Sequence, residues 1–204
     1  MSLYWEKQDD IKEVVSILNQ DKVLLATSDT VLGLLAPLSQ TGYDLLNKIK
    51  QREKMPYLVL IGSKSKLDYF IDQELSPKVR QLIEMSWPGP VTFIFKARAT
   101  LPDYLKSAQG TIALRLPDHK GLQFLLQEYN GLFSTSANMH KEPIPKTVSE
   151  VNSAILQHVG GICLDEQNHQ DEPIPSSIID CSDQDIKVIR AGAKMRELLN
   201  FLEK

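Results

Sequence analysis

Short apolar runs alternate with amphipathic stretches along almost the whole chain. The apolar runs have the length of buried strands, and the stretches between them repeat apolar residues at helical spacing. The pattern predicts strands at 23–26, 57–62, 91–95, 111–117, 132–133, 161–165, 176–180 and 186–190. It predicts helices at 9–20, 41–50, 65–70, 76–87, 118–129, 147–158 and 194–201.

Local signals mark several of the predicted ends. Ser76 is a typical N-cap and Pro77 suits the first helical position, so a helix is expected to begin there. Asp118 is the expected N-cap of the helix that leads to residue 129, and Thr147 with Glu150 matches a capping box. Residues 166–175 are polar and contain two prolines, which predicts a loop.

Strands and helices interleave from one end of the chain to the other, which predicts a single α/β domain over residues 1–204 with a largely buried mixed sheet. The chain is 42% hydrophobic and 24% charged, as ordinary globular proteins are. No apolar run is long enough to span a bilayer and the N-terminus lacks a signal-peptide pattern, so a cytoplasmic location is expected. The formal net charge of −3 indicates no global basic field for nucleic acid.

Cysteine and histidine positions indicate no metal or nucleophile site. Cys163 and Cys181 match no metal-ligand spacing. The histidines fall in no recognisable catalytic motif and are expected at the surface; they are His119, His140, His158 and His169. The chain also lacks a Walker-type phosphate loop and a G-x-G-x-x-G motif.

Hydroxyl and cationic residues cluster where predicted strands or helices end. The clusters are residues 27–30, Lys50 with Arg52, residues 134–138, Ser176 with Ser177, and Arg190. Ligands of open α/β sheets bind outside the carboxyl ends of strands, so the Ser-Thr-Ser-Ala-Asn run at 134–138 is a candidate anion site. The same run also suits an ordinary turn, because Ser and Asn favour turns for local reasons.

Arg115 stands alone among the apolar residues of a predicted strand. An unpaired buried charge is costly, so Arg115 needs a partner, which is either a carboxylate of the protein or an anionic ligand. If the polar clusters converge around it, the site combines cations with hydroxyls, a set that suits a polyanion such as a nucleoside triphosphate. Such a site works by positioning and charge neutralisation, without a nucleophile or base from the protein.

Several blocks, in this order and spacing, resemble the YrdC/Sua5 family of threonylcarbamoyl-AMP synthases. The resemblance covers residues 14–193 and so most of the chain. The matching blocks, with the family pattern in parentheses, are residues 27–34 (P-T-E-T-V-Y-G-L), 50–52 (K-x-R), 87–92 (W-P-G-P-[LV]-T), 113–119 (V-R-x-P-x-H), 134–138 (S-T-S-A-N), 175–180 (S-T-V-[VI]-D) and 190–192 (R-x-G).

The resemblance implies both a fold and a reaction. The fold is the family's twisted open mixed α/β sheet flanked by helices, a YrdC-like or DHBP-synthase-like fold with a basic concave face. The reaction converts L-threonine, bicarbonate and ATP to threonylcarbamoyl-AMP and diphosphate, the first step toward the t6A37 modification of tRNA. Mg²⁺ is expected on the phosphates of ATP, with no metal site formed by the protein itself. The short YrdC form fits better than the long Sua5 form.

The family motifs also imply roles for individual residues. The residues expected to hold threonine are Thr30, Arg115, Ser134 and Ser176. The residues expected to hold ATP are Arg52, Thr111, Ser136 and Arg190. Lys50 and Arg52 are the expected catalytic residues at the phosphates. The expected further partners are tRNA or double-stranded RNA and the proteins that later transfer the t6A group.

The chain departs from the family pattern beside two blocks. Leu32 replaces an aromatic residue, Glu53 replaces a proline, and Pro56 replaces a lysine or an asparagine. One alternative is therefore an RNA- or nucleotide-binding paralogue without synthase activity. Its basic patch would consist of Lys48, Lys50, Arg52, Lys54, Lys96 and Arg98. Another alternative is carbamoyl transfer to a different acceptor, as in the related domain of hydrogenase-maturation proteins.

Overall fold

A computed structural model describes residues 2–51, 56–166 and 174–203. Within them ten strands form one mixed sheet in the spatial order β1-β8-β2-β3-β7-β4-β6-β5-β9-β10. The strands are β1 (Ser2–Tyr4), β2 (Val23–Ala26), β3 (Gly33–Pro37), β4 (Leu58–Leu60), β5 (Val91–Lys96), β6 (Thr111–Arg115), β7 (Leu132–Ser136), β8 (Val159–Leu164), β9 (Ser177–Asp180) and β10 (Lys187–Arg190). The predicted α/β fold with a mixed sheet flanked by helices is confirmed.

Helices connect and cover the strands. They are α1 (Gln8–Asn19), α2 (Gln40–Lys50), α3 (Leu67–Phe70), α4 (Pro77–Ser86), α5 (Lys120–Leu125), α6 (Ser153–Leu156) and α7 (Met195–Leu202). The start of α4 is as predicted, since the Ser76 side chain accepts a hydrogen bond from the Val79 amide and Pro77 is the first helical residue. None of the described helices is long and apolar enough to cross a membrane.

Some predicted elements differ in the structure. Residues 147–158 form no single helix, because Val151 is buried in an extended conformation between a 3₁₀ turn and α6. The Asn152 side chain then accepts a hydrogen bond from the Ala154 amide and starts a new helix. The N-cap of α5 is His119 and not Asp118, since the His119 ring accepts the Leu122 amide. Two strands, β1 and β3, were not predicted.

The two faces of the sheet are covered differently. Side chains that include Leu34, Phe93, Leu114 and Phe133 point to one face and belong to a continuous apolar core with residues of α2 and α4. On the opposite face, a second apolar cluster lies under α1 and α5 and covers only part of the sheet; its strand residues include Leu24, Leu35, Leu60 and Leu132. Toward β5 and β9 this second face carries polar side chains and bounds an open cleft.

Candidate active site

The cleft has a volume of about 480 Å³, and the second face of the sheet forms its floor. Alternate residues along a strand share a face, so single strands contribute pairs of side chains such as Ser134 with Ser136 and Ala113 with Arg115. Of the residues that the sequence predicted for substrate binding, those that line this cleft are Thr30, Arg115, Ser134, Ser136, Ser176 and Arg190.

The location of these residues differs in one respect from the prediction. Ser134 and Ser136 lie within β7 and not in a turn beyond its carboxyl end. Both neighbours of β7, which are β3 and β4, run antiparallel to it. The carboxyl end of β7 therefore lies at the opposite end of the sheet from the carboxyl ends of β3 and β4. The polar side chains come together because they project from the same face of the sheet.

Arg115 is paired inside the protein. It is 2% exposed, and its Nη1 donates to Asp29 Oδ1 at 2.6 Å. The other carboxylate oxygen of Asp29 accepts the Asp118 amide at 2.9 Å. Of the two partners that the sequence left open for Arg115, a protein carboxylate is therefore present. Its Nε is buried without a hydrogen-bond partner among the described residues, although the side chain as a whole lines the cleft.

Thr30 is held at the cleft by a turn that Ser28 organises. The Ser28 Oγ donates to the Val31 carbonyl at 2.8 Å and accepts the amides of Thr30 and Val31 at 3.2 and 3.3 Å. The hydroxyls of Ser28 and Thr30 are 3.1 Å apart, so each is a hydrogen-bond partner of the other. This local bonding explains why a Thr-Ser-Asp-Thr sequence follows β2 without continuing the strand.

Ser176 and Arg190 form the far wall of the cleft. Arg190 donates from Nε and Nη2 to the Ser176 carbonyl at 3.0 and 2.7 Å, and from Nη2 to Ser176 Oγ at 3.2 Å. A register shift between Val188 and Arg190 places Arg190 opposite Ile178, which also lines the cleft. Partial burial and the nearby charge of Arg115 lower the pKa of Arg190 below its ordinary value.

Thr92 is a cleft residue that the sequence did not predict. Thr92 is 2% exposed, lines the cleft, and its Oγ1 lies 2.8 Å from Ser176 Oγ. The only signal was its position at the end of the W-P-G-P-[LV]-T block. Asp29 was similarly visible only as part of the block at 27–34, because its contact with Arg115 spans 86 positions of the chain.

Lys50 lies behind the cleft and does not line it. It is 4% exposed, and its Nζ donates to the Ser136 carbonyl at 2.8 Å, to the Asn138 carbonyl, and to Asn138 Oδ1 at 3.2 Å. Asn138 Oδ1 also accepts the Ser136 hydroxyl at 2.6 Å. In this arrangement Lys50 braces the end of β7.

The structure does not bring every predicted residue into the cleft. Thr111 is at the opposite end of β6 from Arg115, where its hydroxyl bonds that of Ser107 at 2.7 Å. Arg52 and Glu53 lie outside the described residues. Pro56, one of the departures from the family pattern, lines the cleft.

The prediction of surface histidines holds for His140 and His158 and is wrong for His119; His169 lies outside the described residues. The His119 side chain is 11% exposed, and its Nε2 lies 2.9 Å from Asp165 Oδ1. Because Nδ1 accepts the Leu122 amide, the neutral ring carries its proton on Nε2 and donates to Asp165. His119 is therefore a structural residue that joins the start of α5 to the end of β8.

Comparisons with known proteins show the family to which the chain belongs. A family model for Sua5, YciO and YrdC, described as "Telomere recombination", matches residues 16–192. The chain belongs to the Sua5/YciO/YrdC family. The threonylcarbamoyl-AMP synthase of Escherichia coli strain K12, a curated relative, is 36% identical to this family member over 151 residues, which cover 72% of this chain and 80% of the relative.

Solved structures of the Sua5/YciO/YrdC family share the fold. P. abyssi Sua5 complexed with L-threonine superposes with a TM-score of 0.86 at 21% identity, over 99% of this chain. The present chain spans only 60% of that Sua5 chain. E. coli YciO superposes with a TM-score of 0.80 at 20% identity, over 95% of this chain and 96% of YciO.

Proposed function

We propose that the chain is an L-threonylcarbamoyladenylate synthase, a nucleotidyltransferase that converts L-threonine, bicarbonate and ATP to threonylcarbamoyl-AMP, diphosphate and water. The observation that carries the proposal is that two arginines and several hydroxyls of the family motifs share one cleft, in a chain 36% identical to proteins named threonylcarbamoyl-AMP synthase. That P. abyssi Sua5 was solved with L-threonine supports the choice of amino acid.

In this proposal the amino acid occupies the part of the cleft nearest Arg115. The guanidinium of Arg115 lines the cleft and donates to the threonine carboxylate, and hydroxyls of Thr30, Ser134 and Ser176 complete the site. Asp29 offsets the charge of Arg115, so a second anion is bound chiefly by Arg190. The protein orients the substrates and stabilises negative charge, and contributes no nucleophile.

The nucleotide occupies the remainder of the cleft. We infer that Ser136 and Arg190 contact ATP there. The family motif also implies Arg52 and Thr111, and Thr111 would be reached only by the part of the nucleotide that extends beyond the cleft along β6. The cleft floor also carries the apolar side chains of Leu58, Ile94 and Ile178, which suit the flat face of a base. Binding both substrates over one sheet face would bring the carbamoylated amine of threonine close to the α-phosphate of ATP.

Mg²⁺ would enter with the phosphates. Mg²⁺ in nucleotide sites is held mainly by phosphate oxygens and water, with one or two carboxylates from the protein. No group of three metal-ligating side chains occurs in the described part of the chain. Mg²⁺ supplies charge neutralisation on the diphosphate that leaves. We expect turnover to fall on chelation and to return when Mg²⁺ is added.

The test is release of diphosphate from ATP by the purified protein, measured with and without L-threonine and bicarbonate. The proposal predicts release only when all three substrates are present, with the α-phosphorus of labelled ATP recovered in threonylcarbamoyl-AMP. A folded protein that releases no diphosphate, or that forms ADP and phosphate, would refute it. Arg98→Lys is a suitable control variant, because Arg98 pairs with Asp72 outside the cleft.

The alternative of an RNA-binding paralogue without synthase activity has less support. Lys50, a member of the predicted basic patch, is buried, and Arg98 is paired with Asp72. Binding through phosphate contacts would weaken steeply with salt, so a salt titration with tRNA measures this contribution separately from turnover. We propose that tRNA and the later t6A-transfer proteins act on the product, in the cytoplasm.

A further inference from the structure

The hydroxyl of Thr92 has no part in the proposed binding of L-threonine or ATP. Thr92 lies on β5, on the same sheet face as Ile94, and its Cα is opposite that of Ile178 on β9. Its side chain is almost fully buried at the wall of the cleft. Among the described residues its hydroxyl makes one hydrogen bond, to the hydroxyl of Ser176 at 2.8 Å.

The direction of that hydrogen bond follows from counting donors. A hydroxyl has one proton to donate and two lone pairs to accept with. If Ser176 donated to Thr92, the Thr92 proton would be buried without an acceptor among the described residues, which is unfavourable. If Thr92 instead donates to Ser176, the Thr92 proton has an acceptor and no buried donor of Thr92 is left unpaired.

The neighbouring arginine strengthens this assignment. Arg190 Nη2 also donates to Ser176 Oγ, at 3.2 Å. With donors from Thr92 and Arg190, both lone pairs of Ser176 Oγ are occupied. The Ser176 hydroxyl can then form one further hydrogen bond, in which it donates its own proton. Because Ser176 lines the cleft, that proton is available to a ligand.

We propose that Thr92 is a positioning residue that commits Ser176 to act as a hydrogen-bond donor toward the ligand. The group bound at Ser176 must then offer an acceptor oxygen, and the charges of Arg115 and Arg190 beside it select an anionic one. This inference rests on the proposed function, under which that group is the carboxylate of L-threonine. Thr92 itself acts through Ser176 and need not touch the substrate.

The test compares Thr92→Val with Thr92→Ser. Valine has nearly the shape of threonine and lacks the hydroxyl, whereas serine keeps the hydroxyl and loses a methyl group. We expect Thr92→Val to weaken L-threonine binding about tenfold in calorimetric titrations, the scale of one lost hydrogen bond. The Kd for ATP should change less than about twofold, since the loss is confined to Ser176. Thr92→Ser should restore L-threonine binding, which a merely structural role of Thr92 would not predict.

The outcomes are distinguishable. Thr41→Val, an exposed threonine of α2, serves as the matched control and should bind both substrates as the wild type does. Wild-type affinity in Thr92→Val, equal losses for L-threonine and ATP, or failure of Thr92→Ser to restore binding would each overturn the inference while the proposed function stands. If the wild-type protein does not bind L-threonine, the proposed function fails. Inorganic phosphate is then used as the anion probe for the same three variants. If Thr92→Val binds phosphate as the wild type does, the Thr92 assignment is refuted as well.

Discussion

Arg115 Nη1 donates to Asp29 Oδ1 at 2.6 Å, although the two residues are 86 positions apart in the chain. Their side chains are 3% and 8% exposed, so the pair is almost completely shielded from water. Asp29 also accepts the amide of Asp118, just beyond β6. The pair therefore ties the turn that carries Thr30 to the end of β6, at a point where Arg115 lines the cleft.

Replacement of Arg115 by lysine tests the guanidinium separately from its charge. Lys retains a cation for Asp29 but loses the planar guanidinium, which can donate to Asp29 and to a ligand at the same time. We expect Arg115→Lys to weaken L-threonine binding about tenfold or more, the scale of one charge-assisted hydrogen bond, as measured by calorimetry. Arg98→Lys is the control, because Arg98 pairs with Asp72 away from the cleft. Unchanged affinity for L-threonine in Arg115→Lys would contradict the assigned role.

Replacement of Asp29 by asparagine tests what the pair contributes to folding. The variant leaves a buried guanidinium without its counter-charge, and breaking such a pair is more costly than breaking an exposed one. We expect Asp29→Asn to lower the free energy of unfolding by about 2 kcal/mol in urea titrations. Asp72→Asn, which removes the 54%-exposed partner of Arg98, should cost less than about 0.5 kcal/mol. Similar losses in both variants would show that burial of the Asp29 pair has no special effect.

Lys50 offers a prediction that separates two roles. Its Nζ bonds two main-chain carbonyls and Asn138 Oδ1, so Lys50→Met would leave buried acceptors unsatisfied. We expect Lys50→Met to lower the free energy of unfolding of the ligand-free protein by about 2 kcal/mol, whereas the exposed Lys48→Met should have little effect. A phosphate-binding role alone predicts the opposite result, which is weaker ATP binding with unchanged stability of the ligand-free protein.

The sequence predicted those features that local chemistry determines. The start of α4 depends on Ser76 and Pro77, which act within one helical turn, and it was predicted correctly. Residues 147–158 were predicted as one helix because the burial of Val151, which interrupts it, is a tertiary effect. Similarly, the sequence does not predict the contacts of Lys50 with Ser136 and Asn138, because these residues are 86 and 88 positions away.

The candidate site was predictable as a set of residues but not as a geometry. The family blocks identified Arg115, Ser176 and Arg190, which do line one cleft. These residues share one sheet face only because of the order in which the strands pair. That order is set by contacts between distant segments and not by the residues next to each of them in the sequence. Thr92 illustrates the limit, because its hydroxyl becomes relevant only when β5 pairs with β9.

Gly192 provides a steric test of the wall formed by Ser176 and Arg190. A Cβ atom on Gly192 would lie 2.2 Å from the Pro175 carbonyl oxygen and 2.8 Å from the main chain of Ser176. These are main-chain atoms, so Gly192→Ala must displace the segment that carries Ser176. We expect turnover in the diphosphate assay to fall about hundredfold, as small misplacements in active sites do. Ala191→Ser, at the exposed preceding residue, should retain activity, and full activity of Gly192→Ala would contradict the prediction.

Asp165 gives a prediction about acid stability. Burial alone would raise its pKa, but hydrogen bonds from His119 and Thr27 hold the pKa of Asp165 below its ordinary value of 3.8. A carboxyl whose pKa is depressed by folding contributes stability above its unfolded pKa and loses that contribution as pH falls through its folded pKa. The stabilisation from Asp165 should therefore be complete above about pH 4 and decline below it.

The measurement is the free energy of unfolding of wild type and Asp165→Asn in urea at intervals between about pH 3 and pH 6. We expect the variant to be less stable at pH 6 and the difference to shrink below about pH 4, because protonated Asp165 no longer accepts from His119 as an anion. Asp185→Asn, at an exposed position, should track the wild type throughout. A difference that stays constant from pH 6 to pH 3 would mean that the Asp165 contact stabilises the fold through shape and not through charge.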